Sequence, residues 1–136
     1  MKENIATYIK DLALEPATDQ KTIDYTQQKM QFIFPEDYKE FMLKHNGAEG
    51  SMGENSYVQL WSLENLIKYN QGYDVEKYVP GLILIGSDGG NEAYAYDSRG
   101  KSKPIVSVPF IVMNFDDVVK CADNFTDFLQ YLYEQE

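Results

Sequence analysis

Leu82-Ile83-Leu84-Ile85-Gly86-Ser87-Asp88-Gly89-Gly90-Asn91-Glu92-Ala93-Tyr94-Ala95-Tyr96-Asp97 is the stretch on which the fold turns. Its first four residues are an apolar, β-branched run and read as a strand. Ser87 to Asn91 gathers turn-forming residues, and Glu92 to Asp97 alternates Ala and Tyr at period two. The whole reads as a hairpin. Downstream, Ser98–Lys103 turns again, Pro104–Val108 gives another strand, and Phe110–Phe115 offers a last one. Asp123 or Asn124 then caps a final helix whose inner face carries Phe125, Phe128, Leu129 and Leu132.

Upstream of the hairpin the apolar period is helical. Ile5, Tyr8, Ile9 and Leu12 predict a helix near residues 3–14, closed by Pro16. Thr18 or Asp19 caps a second helix reaching about Gln31, with Ile23 and Met30 inward. Pro35 opens a third, with Glu36 and Asp37 at its positive end. Tyr38, Phe41, Met42 and His45 follow helical spacing, and Gly47 stands where a left-handed C-cap belongs. Ala48–Ser56 is Gly-rich and polar, which predicts a surface loop. Tyr57–Trp61 is a short strand, Ser62 caps a helix from Leu63 to about Asn70, and Gln71–Val79 reads as irregular. Pro80-Gly81 marks a turn before the hairpin. Helices, then a meander of strands, then one helix predict an α+β fold. The sheet is expected to be mainly antiparallel with about four to five strands, and the last helix to pack on one side of it. One domain over residues 1–136 accommodates all of this.

Acids outnumber bases, 22 Asp and Glu against 12 Lys and Arg, for a net charge of −10. Such a chain repels nucleic-acid phosphates and attracts basic proteins; the same charge also serves solubility. Eleven Tyr and seven Phe suit a binding surface and a Tyr-rich core equally. The one cysteine, Cys121, permits no internal disulfide, as expected in a reducing, cytoplasmic setting. The N-terminal residues mix charge with apolar residues, unlike a secretory signal, and no apolar run has the length of about 20 residues that a membrane span needs.

The inventory leaves little room for catalysis. His45, the lone histidine, lies on a helix stripe, where packing or interaction with the helix end accounts for it. Cys121 sits among apolar residues, as a small hydrophobe does. One His and one Cys cannot build a zinc site. Asp88 to Glu92 lacks the spacing of a calcium loop, and its acids oppose a phosphate. The expectation is a binding protein with no catalytic residue, no cofactor and no metal.

Three stretches, taken in order, resemble the SUKH superfamily. One is Phe34-Pro35-Glu36-Asp37-Tyr38-Lys39-Glu40-Phe41 with Lys44-His45-Asn46-Gly47, similar to that family's proline-started helix ending in an Asn-Gly turn. Another is Ile85 to Asp97, similar to its glycine-rich hairpin, with Asn91 where a further Gly is frequent. Asn tolerates the left-handed backbone such a turn demands. The third joins Pro104-Ile105-Val106 and Val108-Pro109-Phe110 to Ala122 through Leu129, similar to the closing strands and final helix. The resemblance implies an immunity protein that binds and neutralises a bacterial polymorphic toxin, possible targets including a basic nuclease. The alternative it implies is a regulatory scaffold related to fungal cell-wall regulators. Candidate partner-binding residues are the loop acids Glu49, Glu54, Asp88 and Glu92, with Tyr57 and Trp61 as aromatic anchors. Trp61 reads first as core packing.

Overall fold

The computed structural model describes residues 5–136. The chain begins with α1 (Ile5–Tyr8), a single turn, and β1 (Leu12–Leu14). The helix expected over residues 3–14 is therefore cut short. Residues 3 and 4 lie outside the described part, and Leu12 to Leu14 pair with a strand far along the chain. That pairing overrides the local helical period.

α2 (Gln20–Met30) starts where expected: the Asp19 carboxylate accepts from the Thr22 N–H at 2.8 Å. Gln31 closes it in the left-handed region at φ 54°. α3 (Glu36–Met42) follows Pro35. Its end is Leu43 in ordinary helical geometry, so Gly47 is not a C-cap. Gly47 has φ +110°, and a Cβ there would meet the Leu60 carbonyl oxygen at 2.8 Å. The glycine is required by a close approach of two backbones.

The expected loop after it is instead a hairpin, β2 (Ala48–Met52) with β3 (Ser56–Leu60). Ser62 caps α4 (Leu63–Gly72), accepting from the Asn65 N–H at 3.2 Å. A short α5 (Val75–Tyr78) occupies part of the stretch read as irregular. β4 (Leu82–Ser87), β5 (Glu92–Asp97) and β6 (Ile105–Pro109) match the central reading. Phe110–Phe115 is not a strand. It is a loop leading to a 3-10 turn, Phe115–Asp117, because Val112 takes a left-handed φ of 56° that ends extended pairing. The last strand is β7 (Val119–Ala122), before α6 (Phe125–Tyr133), which is capped by Asn124 accepting from the Asp127 N–H at 2.8 Å.

The seven strands pair antiparallel in chain order, β1 to β7, more than the four to five expected. The sheet has two unlike faces. Ile83, Ile85, Tyr94, Tyr96 and Ile105 join the main core under α2, α3 and α6, with Phe34, Tyr38, Phe125 and Phe128. Leu82, Leu84, Ala93, Ala95, Val106 and Val108 face the other way, against Val75, Val79 and Met113. The Ala/Tyr alternation of β5 thus supplies large rings to one side and close approach to the other.

β3 and β4 pair only at Gln59–Ser87 and Leu60–Gly86. Beyond that point α4 takes over the edge of β4. The buried Asn70 side chain accepts from the Leu84 N–H at 2.9 Å and donates to the Leu84 carbonyl at 2.9 Å. One amide thereby stands in for a neighbouring strand.

Candidate functional site

β2 and β3 turn Ala48, Met52, Val58 and Leu60 inward. Alternation therefore puts Glu49, Tyr57 and Gln59 on the opposite, open part of the sheet. There Glu49 is the hub. It accepts from the Tyr57 hydroxyl at 2.5 Å and from the Gln59 amide at 3.2 Å. The hydrogen bond to Glu49 raises the Tyr57 phenol above its ordinary range, so it stays a neutral donor. The Tyr57 ring lies over the hairpin loop: a Cβ on Gly89, which has φ +83°, would meet its Cδ2 at 2.8 Å. Gly89, and not Asn91, is thus the left-handed residue of the turn.

Asp88 shapes that turn. Its carboxylate accepts from the Gly90 N–H at 2.8 Å and the Glu92 N–H at 3.2 Å. Glu92 alternates with Tyr94 and Tyr96, which places it on the helix-covered side. Burial, then the charges of Asp88 and Asp117, raise its carboxyl above the ordinary range. Glu54 is exposed at the tip of the β2–β3 hairpin. So the structure brings Glu49, Tyr57 and Asp88 to one hairpin end, sets Glu92 just across the sheet, and leaves Glu54 at the rim. A depression of about 320 Å³ opens between Asn55, Tyr57, Asp88, Tyr94, Tyr131 and Gln135.

Trp61 is half-buried beyond Gln59 on the same strand line. It packs at the margin of the second core, 4.6 Å from the Tyr69 ring and 6.5 Å from Phe110. The packing reading of Trp61 holds, and the residue as a whole stays partly exposed.

Gln59, Asp117 and Tyr131 were not singled out from sequence. Gln59 carries a legible signal, its period-two relation to Tyr57. Asp117 and Tyr131 come from distant elements and carry none. His45 lies just past α3, edge-on to Phe41 at 5.6 Å. Cys121 is on β7, and burial raises its thiol. Among the described residues no group of His, Cys, Asp and Glu is placed to hold a metal. No described helix is long and apolar enough to cross a membrane. A larger cleft of about 710 Å³ lies between the end of α2, α5 and the start of β4. It carries Lys29, Lys77, Asp74 and Glu76, of mixed charge.

The chain is similar to the uncharacterized protein YnaB of Bacillus subtilis (strain 168), 35% identical over 109 residues. The match covers 76% of this chain and 65% of the relative, so the chain spans just under two thirds of that protein's length. The model of the SMI1 / KNR4 family (SUKH-1) matches residues 17–131, from just before α2 through most of α6. Over that span the proline-started helix, the glycine-rich hairpin and the Asn-capped last helix all occur in order, and the chain belongs to the SMI1 / KNR4 family (SUKH-1).

Proposed function

We propose that this protein is an immunity protein that binds a cognate basic toxin domain and blocks it by occupying its surface, without catalysis, cofactor or metal. The observation that carries the reading is the open, acidic end of the sheet, Glu49 with Tyr57 and Asp88, in a family member of net charge −10. A tyrosine held by a carboxylate beside further acids is suited to lysine- and arginine-rich surfaces. Steering by such a surface speeds encounter and fades with salt, as the Debye length falls to about 8 Å at physiological strength.

The test is neutralisation. The protein is co-expressed in a bacterial host with a candidate basic toxin domain, and association is measured with purified components at low and moderate salt. Growth should be rescued, and wild-type association should slow as salt rises. Reversing Glu49, Glu54, Asp88 and Glu92 to Lys should slow association about tenfold or more at low salt while the fold is retained. A wild-type rate indifferent to both salt and reversal would remove these acids from the interface. Persistent binding to a resident cellular protein, with no toxin neutralised, would make the chain a regulatory scaffold instead.

A further inference from the structure

Beyond Trp61 the second face of the sheet carries a closed ring of four aromatic side chains. Trp61 meets Tyr69 at 4.6 Å, Tyr69 meets Tyr73 at 6.4 Å, Tyr73 meets Phe110 at 4.7 Å, and Phe110 returns to Trp61 at 6.5 Å. Tyr73 is 40% exposed. Beside the ring, Ile111 and Val112 are each 79% exposed, the most exposed large apolar residues described. A β-branched residue at φ 56° is rare and needs a cause. Here the Asn114 amide clasps it, donating to the Val112 carbonyl at 2.8 Å and to the Asp117 carboxylate at 2.9 Å. The Phe110 N–H bonds the Asn91 carbonyl at 2.9 Å, tying this loop to the acidic hairpin.

The fold therefore holds two apolar side chains out in water at a conformational cost. Over the segments that build and border the ring, residues 57–61, 69–74, 88–91 and 110–118, the charged residues are Asp74, Asp88, Asp116 and Asp117, with no Lys or Arg. The same loop already receives one guanidinium: Arg99 lies 4.1 Å from the Phe115 ring centre while paired with Asp97.

We infer that Ile111, Val112 and the Trp61–Tyr69–Tyr73–Phe110 ring form the apolar centre of the protein-binding surface, and that its occupant is a partner segment carrying apolar residues interleaved with arginine. This deepens the binding reading above and rests on it. Apolar side chains of the partner cover Ile111 and Val112, its guanidinium groups meet the ring faces, and the bordering acids pair with the same groups. A second copy of this chain is the wrong occupant, because two chains of charge −10 repel each other.

Trp61 is the single tryptophan and reports directly on the ring. Its fluorescence is titrated with three synthetic peptides, alternating Leu with Arg, Gly with Arg, and Leu with Glu. The Leu/Arg peptide should shift the emission and bind about tenfold more tightly than Gly/Arg, and Leu/Glu should not bind. The double variant Ile111→Ser, Val112→Gly should weaken Leu/Arg binding about tenfold without lowering the melting temperature, since Gly accepts the left-handed backbone. Tyr25→Ser, at an exposed tyrosine of α2, should change nothing. Equal binding of all three peptides, binding unaffected by the double variant, or concentration-dependent self-association lost in that variant would each overturn the inference. The double variant is also assayed against the toxin domain. Neutralisation that survives it overturns this surface and leaves the immunity reading intact. Loss of neutralisation in the variant supports both. Leu/Arg binding at the ring with no toxin bound by wild type supports the surface and overturns immunity.

Discussion

β4 and β5 present opposite faces of the same two strands, and the faces are built to different standards. Toward the helices they offer Ile83, Ile85, Tyr94 and Tyr96, locked under Phe34, Tyr38, Phe125 and Phe128. Tyr38 sits edge-on to both Tyr96 and Phe125, at 5.7 and 5.2 Å. Toward the other side they offer Leu82, Leu84 and two alanines, under one helical turn and a loop with a left-handed valine. The first face is thick, aromatic and covered by regular elements. The second is thin, and its cover is strained and acidic. Stability resides mainly on the first, which leaves the second free to hold features that a folding optimum would remove.

The sharpest way to break this contrast is to damage the thick face. Phe128 is fully buried on α6, 4.9 Å from Tyr94. Phe128→Ala should cost about 3–5 kcal/mol, read as a lowered denaturant midpoint. A loss below about 1 kcal/mol would mean that α6 is not the keystone of the first core.

The next effect lies where the faces meet. Asn70→Ala strips the partners from both the N–H and the carbonyl of Leu84, which is itself fully buried. The expected loss is about 2–4 kcal/mol, with amide exchange at Leu84 accelerated. An unchanged exchange rate would show that β4 needs no lateral partner.

The smallest effect lies at the rim of the covered face and has the opposite sign. Glu92 has its carboxyl raised from an ordinary 4.5, so its ionised form opposes the fold. That opposition is complete above the raised folded value and absent below the ordinary one, where the group is protonated in folded and unfolded chains alike. Glu92→Gln should therefore stabilise the protein at neutral pH by about half a kcal/mol, with the gain fading as pH falls to about 4. A destabilised variant at neutral pH would give Glu92 a structural duty instead.

What the sequence disclosed follows the same division. Caps and turns are local chemistry, so Asp19, Pro35, Ser62 and Asn124 could be read directly. The period of β5 could be read too, because Ala and Tyr differ so much in size. β2 could not: Ala48-Glu49-Gly50-Ser51-Met52 has poor strand propensity and is a strand because β1 and β3 flank it. Leu12–Leu14 misled for the same reason. Phe110–Phe115 misled in reverse, since an apolar run says nothing about a backbone turning left-handed at Val112. Of the proposed binding residues, Glu49, Tyr57 and Asp88 were legible as acids of a polar segment and a nearby aromatic. The ring was not, because Tyr69 and Tyr73 at the end of α4 meet a Phe110 that comes from a distant loop.

The strand order bears on how the chain is made. Each strand pairs with the one before it, β2–β3, β4–β5, β5–β6 and β6–β7 through short loops and β1–β2 and β3–β4 across intervening helices, so the sheet can grow in chain order as it emerges from the ribosome. α6 is the exception. Asp37 holds its first turn through the Thr126 N–H at 2.9 Å, across 89 residues, and Gly53 accommodates the Tyr133 carbonyl where a Cβ would come within 2.2 Å. The element that seals the main core thus follows all seven strands, and until it docks the nascent chain displays the very rings that later hold it shut. A released chain cut before residue 125 would carry an unlatched sheet, a substrate for chaperones rather than a finished protein.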